Sequence, residues 1–294
     1  MRPVRLEGAG ISIAADVGGA EDGPLVVLQP GGGQTRHSWG KAGETLAERG
    51  YHVVSLDLRG HGDSDWSPDR LYGFDRYLDD LVRVLAQFAD GPRYLVGASL
   101  GGIVSLLAVG ENRVRADGLV LVDIAPKVEW SGASRIGEFM RARPEGFASV
   151  DEAADAVAAY LPHRPRPKSN TGLLKNLRLG ADQRYRWHWD PQLIDEHASE
   201  AAVVQVGTRL EQAARALTIP TLLVRGGLSD VVSRSSVDHM REVVPHAEIV
   251  EVAHADHMIA GDRNDAFNTA VIEFLQRIAQ RTPAAEGASD GRSP

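Results

Sequence analysis

Six short runs of Val, Leu and Ile punctuate the chain: "PLVVLQP" (24–30), "HVVSLDL" (52–58), "RYLVGAS" (93–99), "GLVLVDIAP" (118–126), "TLLVRGG" (221–227) and "AEIVEVA" (247–253). Each is bounded by turn residues at one end or both. Such near-continuous apolar runs suit strands buried on both faces of a parallel sheet. Helix-like segments lie between most of them. "KAGETLAERG" (41–50) and "FDRYLDDLVRVLAQFADG" (74–91) both end on a glycine placed as a C-cap. Strand alternating with helix predicts an α/β fold with a mostly parallel, doubly wound sheet. Residues 1–19 read as a β-hairpin leading into it.

One interval breaks this rhythm. Between Pro126 and Ile219 the chain is far longer than a single crossover helix requires. Residues 127–205 are therefore expected to form an inserted helical cap, with 1–126 and 206–281 as the core. Ser149 and Glu152 form a capping-box pattern before "AADAVAAYL". The small, polar residues 282–294 are expected to be a disordered tail.

Composition narrows the class. The 294 residues are 43% hydrophobic and 24% charged, ordinary for a globular chain. Forty acidic against 32 basic residues give a formal charge of −8, unlike the basic footprint of nucleic-acid or anionic-membrane binders. There is no cysteine, which removes disulfides, thiolate catalysis and Cys-based zinc sites. No apolar stretch approaches the roughly 20 residues of a membrane span. With no secretory pattern in "MRPVRLEGAG", the expected location is the cytoplasm.

The run "YLVGASLGG" (94–102) carries the chemistry. It matches G-x-S-x-G between a strand and an apolar helix, the context in which a nucleophilic serine sits on a strained turn. Gly97 and Gly101 are read as places where strand and helix pass too closely for a side chain. Ser99, at a helix N-terminus, would face N–H groups that favour developing negative charge. A helix N-cap serine is the plainer alternative.

A serine nucleophile needs a base, and the base an orienting carboxylate. Asp230 follows the strand "TLLVRGG", and His257 follows "AEIVEVA", in the chain order serine, acid, histidine. Asp123, in "LVDIAP", is the rival acid at another strand end. His254 competes with His257, but the latter precedes apolar "MIAG", which suits packing inward. H-x-x-H without the glutamate of H-E-x-x-H is not read as a metal site. The oxyanion would be held by the N–H of Leu100 and one from "PGGGQTRHSW", with Gly32 the main donor and Gly33 its alternative. Arg36 and His37 flank that loop and are candidates either to meet a substrate carboxylate or to form a surface salt bridge. In "RYRWHWDP", Trp187 and Trp189 around His188 are read as core packing of the cap, with a wall of the substrate pocket as the alternative.

Across residues 3–280 the chain resembles the α/β-hydrolase fold superfamily. "GASLGG" matches its nucleophile elbow, "DLRGHGDS" (57–64) its turn after the fourth strand, and "ADHM" its histidine loop. One departure stands out: the family usually has His-Gly in the oxyanion loop, where that histidine braces the loop, and this chain has Pro30-Gly31. The resemblance implies a cofactor-free serine hydrolase acting on a small, partly apolar carboxylic ester or lactone through an acyl-enzyme. Carbon–carbon bond hydrolysis beside a ketone and cofactor-free haloperoxidase-like chemistry are the enzyme alternatives. A non-catalytic ligand receptor on the same fold is the alternative from another class.

Overall fold

The computed structural model describes residues 1–162, 169–194, 200–257 and 265–280; the tail expected at 282–294 lies outside them. Eight strands form one sheet in the order β1-β2-β4-β3-β5-β6-β9-β10. They are β1 (Arg2–Glu7), β2 (Ser12–Gly19), β3 (Leu25–Gln29), β4 (His52–Leu56), β5 (Arg93–Ala98), β6 (Gly118–Val122), β9 (Thr221–Gly226) and β10 (Glu248–Val252). The hairpin β1–β2 is antiparallel and joins β4 antiparallel, whereas β4, β3, β5, β6, β9 and β10 run parallel.

The apolar runs fold this way because their side chains alternate between two cores. Val26, Leu28, Val53, Val96, Val120, Val122, Leu222 and Val224 pack on one face. That face is covered by α1 (Gly40–Glu48), through Leu46, and by α8 (Asp265–Ala279), through Phe267, Val271 and Phe274. Leu25, Val27, Val54, Leu95, Leu119, Leu121 and Leu223 pack on the other. There they meet α2 (Phe74–Leu85), α3 (Leu100–Gly110), α6 (Glu200–Arg215) and α7 (Arg234–Val243) through Leu78, Leu107, Leu210 and Met240. Among the parallel strands β10 is the least buried: it lies at one edge of the sheet, and Glu248 and Glu251 are exposed.

Between β6 and β9 the chain builds α4 (Trp130–Arg141), α5 (Val150–Tyr160), and a two-stranded sheet of β7 (Leu177–Leu179) and β8 (Tyr185–Trp187). The small sheet was not expected from a helical reading of this interval. The expected boundary at 205 falls inside α6, which packs on α3 of the core. At the start of α5, Ser149 Oγ accepts from the Glu152 N–H, while the Glu152 carboxylate reaches one residue further back, to the Ala148 N–H at 2.6 Å. Among the described residues, no helix is long and apolar enough to cross a membrane.

Candidate active site

β5 enters the elbow and α3 leaves it. Ser99 sits between them at φ 44°, ψ −114°, a conformation that L-residues rarely adopt. The flanking glycines make the corner possible. A Cβ on Gly97 would lie 2.3 Å from the Gly101 carbonyl oxygen, and one on Gly101 would lie 2.6 Å from Gln29. The corner is pinned by Ser99 N–H to Val122 O and Gly101 N–H to Pro30 O.

His257 reaches the serine from the loop after β10. Its Nε2 lies 3.2 Å from Ser99 Oγ, and its Nδ1 lies 2.7 Å from Asp123 Oδ2. A carboxylate accepts, so Nδ1 carries the proton and Nε2 is free to accept from the hydroxyl. Asp123, at the end of β6, is fully buried and also has positive φ. Its Oδ1 accepts from the Gly226 N–H at 2.9 Å, and its Oδ2 accepts from Ser229 Oγ at 2.7 Å. Ser229 Oγ in turn accepts from the N–H groups of Val231 and Val232. Hydroxyl and carboxylate thus fix each other, and the carboxylate fixes the imidazole.

The expected acid, Asp230, is not in this chain of contacts. The turn after β9 directs Ser229 inward and Asp230 outward, where its carboxylate pairs with Arg135 of α4 at 2.8 Å. Nor does Asp230 cap α7, whose N-cap is Ser233. His254 is exposed. Among the described residues, no group of three or more His, Cys, Asp or Glu side chains is arranged to hold a metal.

Beside Ser99 lies a cavity of about 190 Å³, lined by Gly32, Leu100 and His257 and by a largely apolar wall. Trp130, Ile136, Met140 and Arg141 of α4 form part of that wall, with Ile103 and Leu193. Within the glycine-rich loop after β3, the Gly31 N–H donates to Gln34 Oε1 at 3.0 Å, and the Gln34 N–H donates to Gly31 O at 3.1 Å. Gly31 is therefore committed inside the loop, whereas Gly32 and Leu100 face the cavity beside Ser99.

The remaining expected contacts fall elsewhere. Arg36 is buried in an ion cluster with Asp16, Asp57 and Asp63 and does not line the cavity. Its backbone N–H also donates to Asp57, so it ties the loop to β4 rather than meeting a substrate. His37 stands beside Asp16, away from the cavity. Trp187 and Trp189 stack on each other at 5.1 Å and 11°, and Trp187 packs against Phe139 and Phe147. Both indoles are buried behind the wall rather than in it. His188 is buried too: its Nδ1 accepts from the Gly62 N–H at 2.7 Å, and its Nε2 lies 3.1 Å from Gly33 O. Ser229 and Gln34 carried no signal of their own in the sequence; each is a polar residue next to one already singled out.

A buried carboxylate, an imidazole in a fixed tautomer and a strained serine can together lower the cost of forming an alkoxide-like nucleophile. Comparison with known proteins agrees with the fold. An esterase of Mycobacterium tuberculosis is 28% identical over 87% of this chain and 82% of its own length. A 2-(acetamidomethylene)succinate hydrolase of Mesorhizobium japonicum is 29% identical over 78% of this chain and 80% of its own length. Among solved structures, an alpha/beta hydrolase of Novosphingobium aromaticivorans superposes with a TM-score of 0.78 at 25% identity, covering 94% of this chain and 99% of that one. The profile of the alpha/beta hydrolase fold matches residues 24–263. With that match across most of its length, the chain belongs to the α/β-hydrolase fold family and is a hydrolase of that fold.

Proposed function

We propose that the protein is a serine hydrolase of small, largely apolar carboxylic esters or lactones, with Ser99 as nucleophile, His257 as base and Asp123 as the orienting carboxylate. The observation that carries this reading is the continuous contact Asp123–His257–Ser99 opening onto an apolar cavity. Ser99 Oγ attacks the ester carbonyl as its proton passes to His257 Nε2. The N–H groups of Gly32 and Leu100 receive the charge that develops on the carbonyl oxygen. Collapse expels the alcohol, which takes its proton from His257, and leaves an acyl group on Ser99. Water, deprotonated by His257, then releases the acid. Ser99→Ala is expected to lose roughly 10⁴- to 10⁶-fold in kcat on p-nitrophenyl butyrate and to lose labelling by a fluorophosphonate probe. A wild type that neither turns over the ester nor labels at Ser99 would favour a receptor over an enzyme.

A second reading concerns the substrate's far end. Arg141, the last residue of α4, lines the cavity and has no ion pair among the described residues. The Mesorhizobium relative is named for a succinate-type substrate. A substrate bearing a carboxylate is the alternative this favours. It predicts that a succinate monoester is preferred over a neutral ester and that Arg141→Ala erases the preference.

A further inference from the structure

The oxyanion loop lacks the histidine that its family places before the first glycine; Pro30 stands there, with no N–H and no side-chain donor. A histidine from elsewhere in the chain reaches the loop instead. His188 follows β8 and is 2% exposed. A backbone N–H can only donate, so the contact from Gly62 at 2.7 Å makes Nδ1 the unprotonated nitrogen. The neutral ring then carries its proton on Nε2, which donates to Gly33 O at 3.1 Å. Segment 188–190 is itself anchored to the core. The Asp190 N–H donates to Gly60 O, and Tyr72 Oη donates to Asp190 Oδ2 at 2.7 Å.

The bond to Gly33 matters because of what that peptide holds. The Gly33 carbonyl and the Gln34 N–H belong to one peptide unit. That N–H donates to Gly31 O at 3.1 Å, and the Gly31 carbonyl shares its peptide unit with the Gly32 N–H. A single line of hydrogen bonds therefore runs from His188 Nε2 through two peptide planes to the peptide unit of Gly32, a residue that lines the cavity. Successive hydrogen bonds of this kind orient and polarise one another.

We propose that His188 is a positioning residue for the oxyanion hole, holding the Gly32 N–H on the oxygen of the reacting carbonyl in place of the missing loop histidine. This rests on the hydrolase reading above. His188 acts as a fixed neutral dipole, not as an acid or base. Burial holds its pKa well below the usual histidine range, and the neighbouring His61 ring, 5.9 Å away, adds to the cost of charging it. A protonated Nδ1 would also confront the Gly62 N–H donor.

Two variants separate the bonds. In His188→Asn, the amide oxygen can still accept from Gly62, but the side chain is too short to reach Gly33. In His188→Gln, an amide N–H can reach Gly33. The expected result is a loss of kcat on the order of 10- to 100-fold in the Asn variant, as expected for a loosened catalytic group. KM should be little changed, and a boronic acid mimic of the tetrahedral state should weaken in step with kcat. The Gln variant should recover most of both. Fluorophosphonate labelling of Ser99 is read in every variant. An unlabelled Ser99 in wild type would overturn the underlying hydrolase reading. With Ser99 labelled, the inference is overturned if the Asn variant turns over like wild type. It is equally overturned if Asn and Gln lose activity alike, in step with their thermal midpoints.

Discussion

A carboxylate orients an imidazole only from hydrogen-bonding distance, and burial decides how firmly. Asp123 meets both conditions and Asp230 meets neither. Asp123→Asn is expected to lower kcat on the order of 10⁴-fold, the cost of a wrong tautomer in a serine-protease triad. Asp230→Asn breaks only a surface ion pair, worth about 1 kcal/mol or less, and should leave kcat nearly intact. Side-by-side kinetics on one ester decide between them. Both aspartates follow strands on the same sheet edge, and strand-end position and chain order favoured Asp230 without excluding Asp123. What separates them is the direction of a tight turn, in which a one-residue offset sends Ser229 inward and Asp230 out. The contact between Ser99 and His257 was foreshadowed because a glycine-fenced corner and a histidine ahead of an apolar stretch leave marks in sequence; the direction of an aspartate side chain does not.

A second prediction at this scale concerns pH. His61 is fully buried, donates from Nδ1 to Arg59 O, and has no partner for Nε2 among the described residues; burial pulls its pKa down to about 4. An unfolded histidine titrates near 6.5. Between those values the unfolded chain binds more protons than the native one, so this group's stabilising contribution is complete above about pH 6.5. It is lost as pH falls toward 4 and levels off below. His188 acts with the same sign. His61→Gln keeps a donor for Arg59 O without titrating in this range. Its urea midpoint should fall less than that of wild type between pH 7 and 5; equal slopes would remove His61 from the account.

Among the elements, the β5–α3 junction has least room for change. Gly101 abuts the backbone of Gln29 in β3, and Gly102 abuts Ile124, so α3 lies almost on the sheet. Gly101→Ala would bring a methyl within 2.6 Å of backbone that cannot swing aside. The expected loss is about 1–3 kcal/mol or more by urea unfolding, together with a displaced Ser99 and reduced labelling. Strands of the sheet interior were legible for a related reason, since burial on both faces forces nearly every position to be apolar. β10 was legible only as a strand. Its two glutamates mark an edge, but the runs alone do not give strand order. The β7–β8 pair escaped because three-residue strands are too short to display a period.

At the scale of the whole molecule, the segment between β6 and β9 divides into two parts. Residues 188–190 are hydrogen-bonded to Gly60, Gly62 and Tyr72, and the stacked Trp187 and Trp189 fill the space behind them. This part is fixed structure. α4, by contrast, gives the cavity Trp130, Ile136 and Arg141, while its Met140 packs close to Gly32. Substrate selection should therefore reside in α4 and stability in the tryptophan pair. Trp187→Ala empties a buried site and should cost about 3–5 kcal/mol, lowering rates on short and long acyl esters by a similar factor. Ile136→Ala enlarges the cavity wall without touching the glycine-rich loop after β3. It should leave p-nitrophenyl acetate turnover close to wild type while raising kcat/KM for octanoate relative to butyrate by several-fold, since each added methylene housed is worth about 0.8 kcal/mol. A chain-length shift in Trp187→Ala as large as that in Ile136→Ala would mean the indoles bound the acyl chain after all, and the division between fixed hairpin and selective helix would fall.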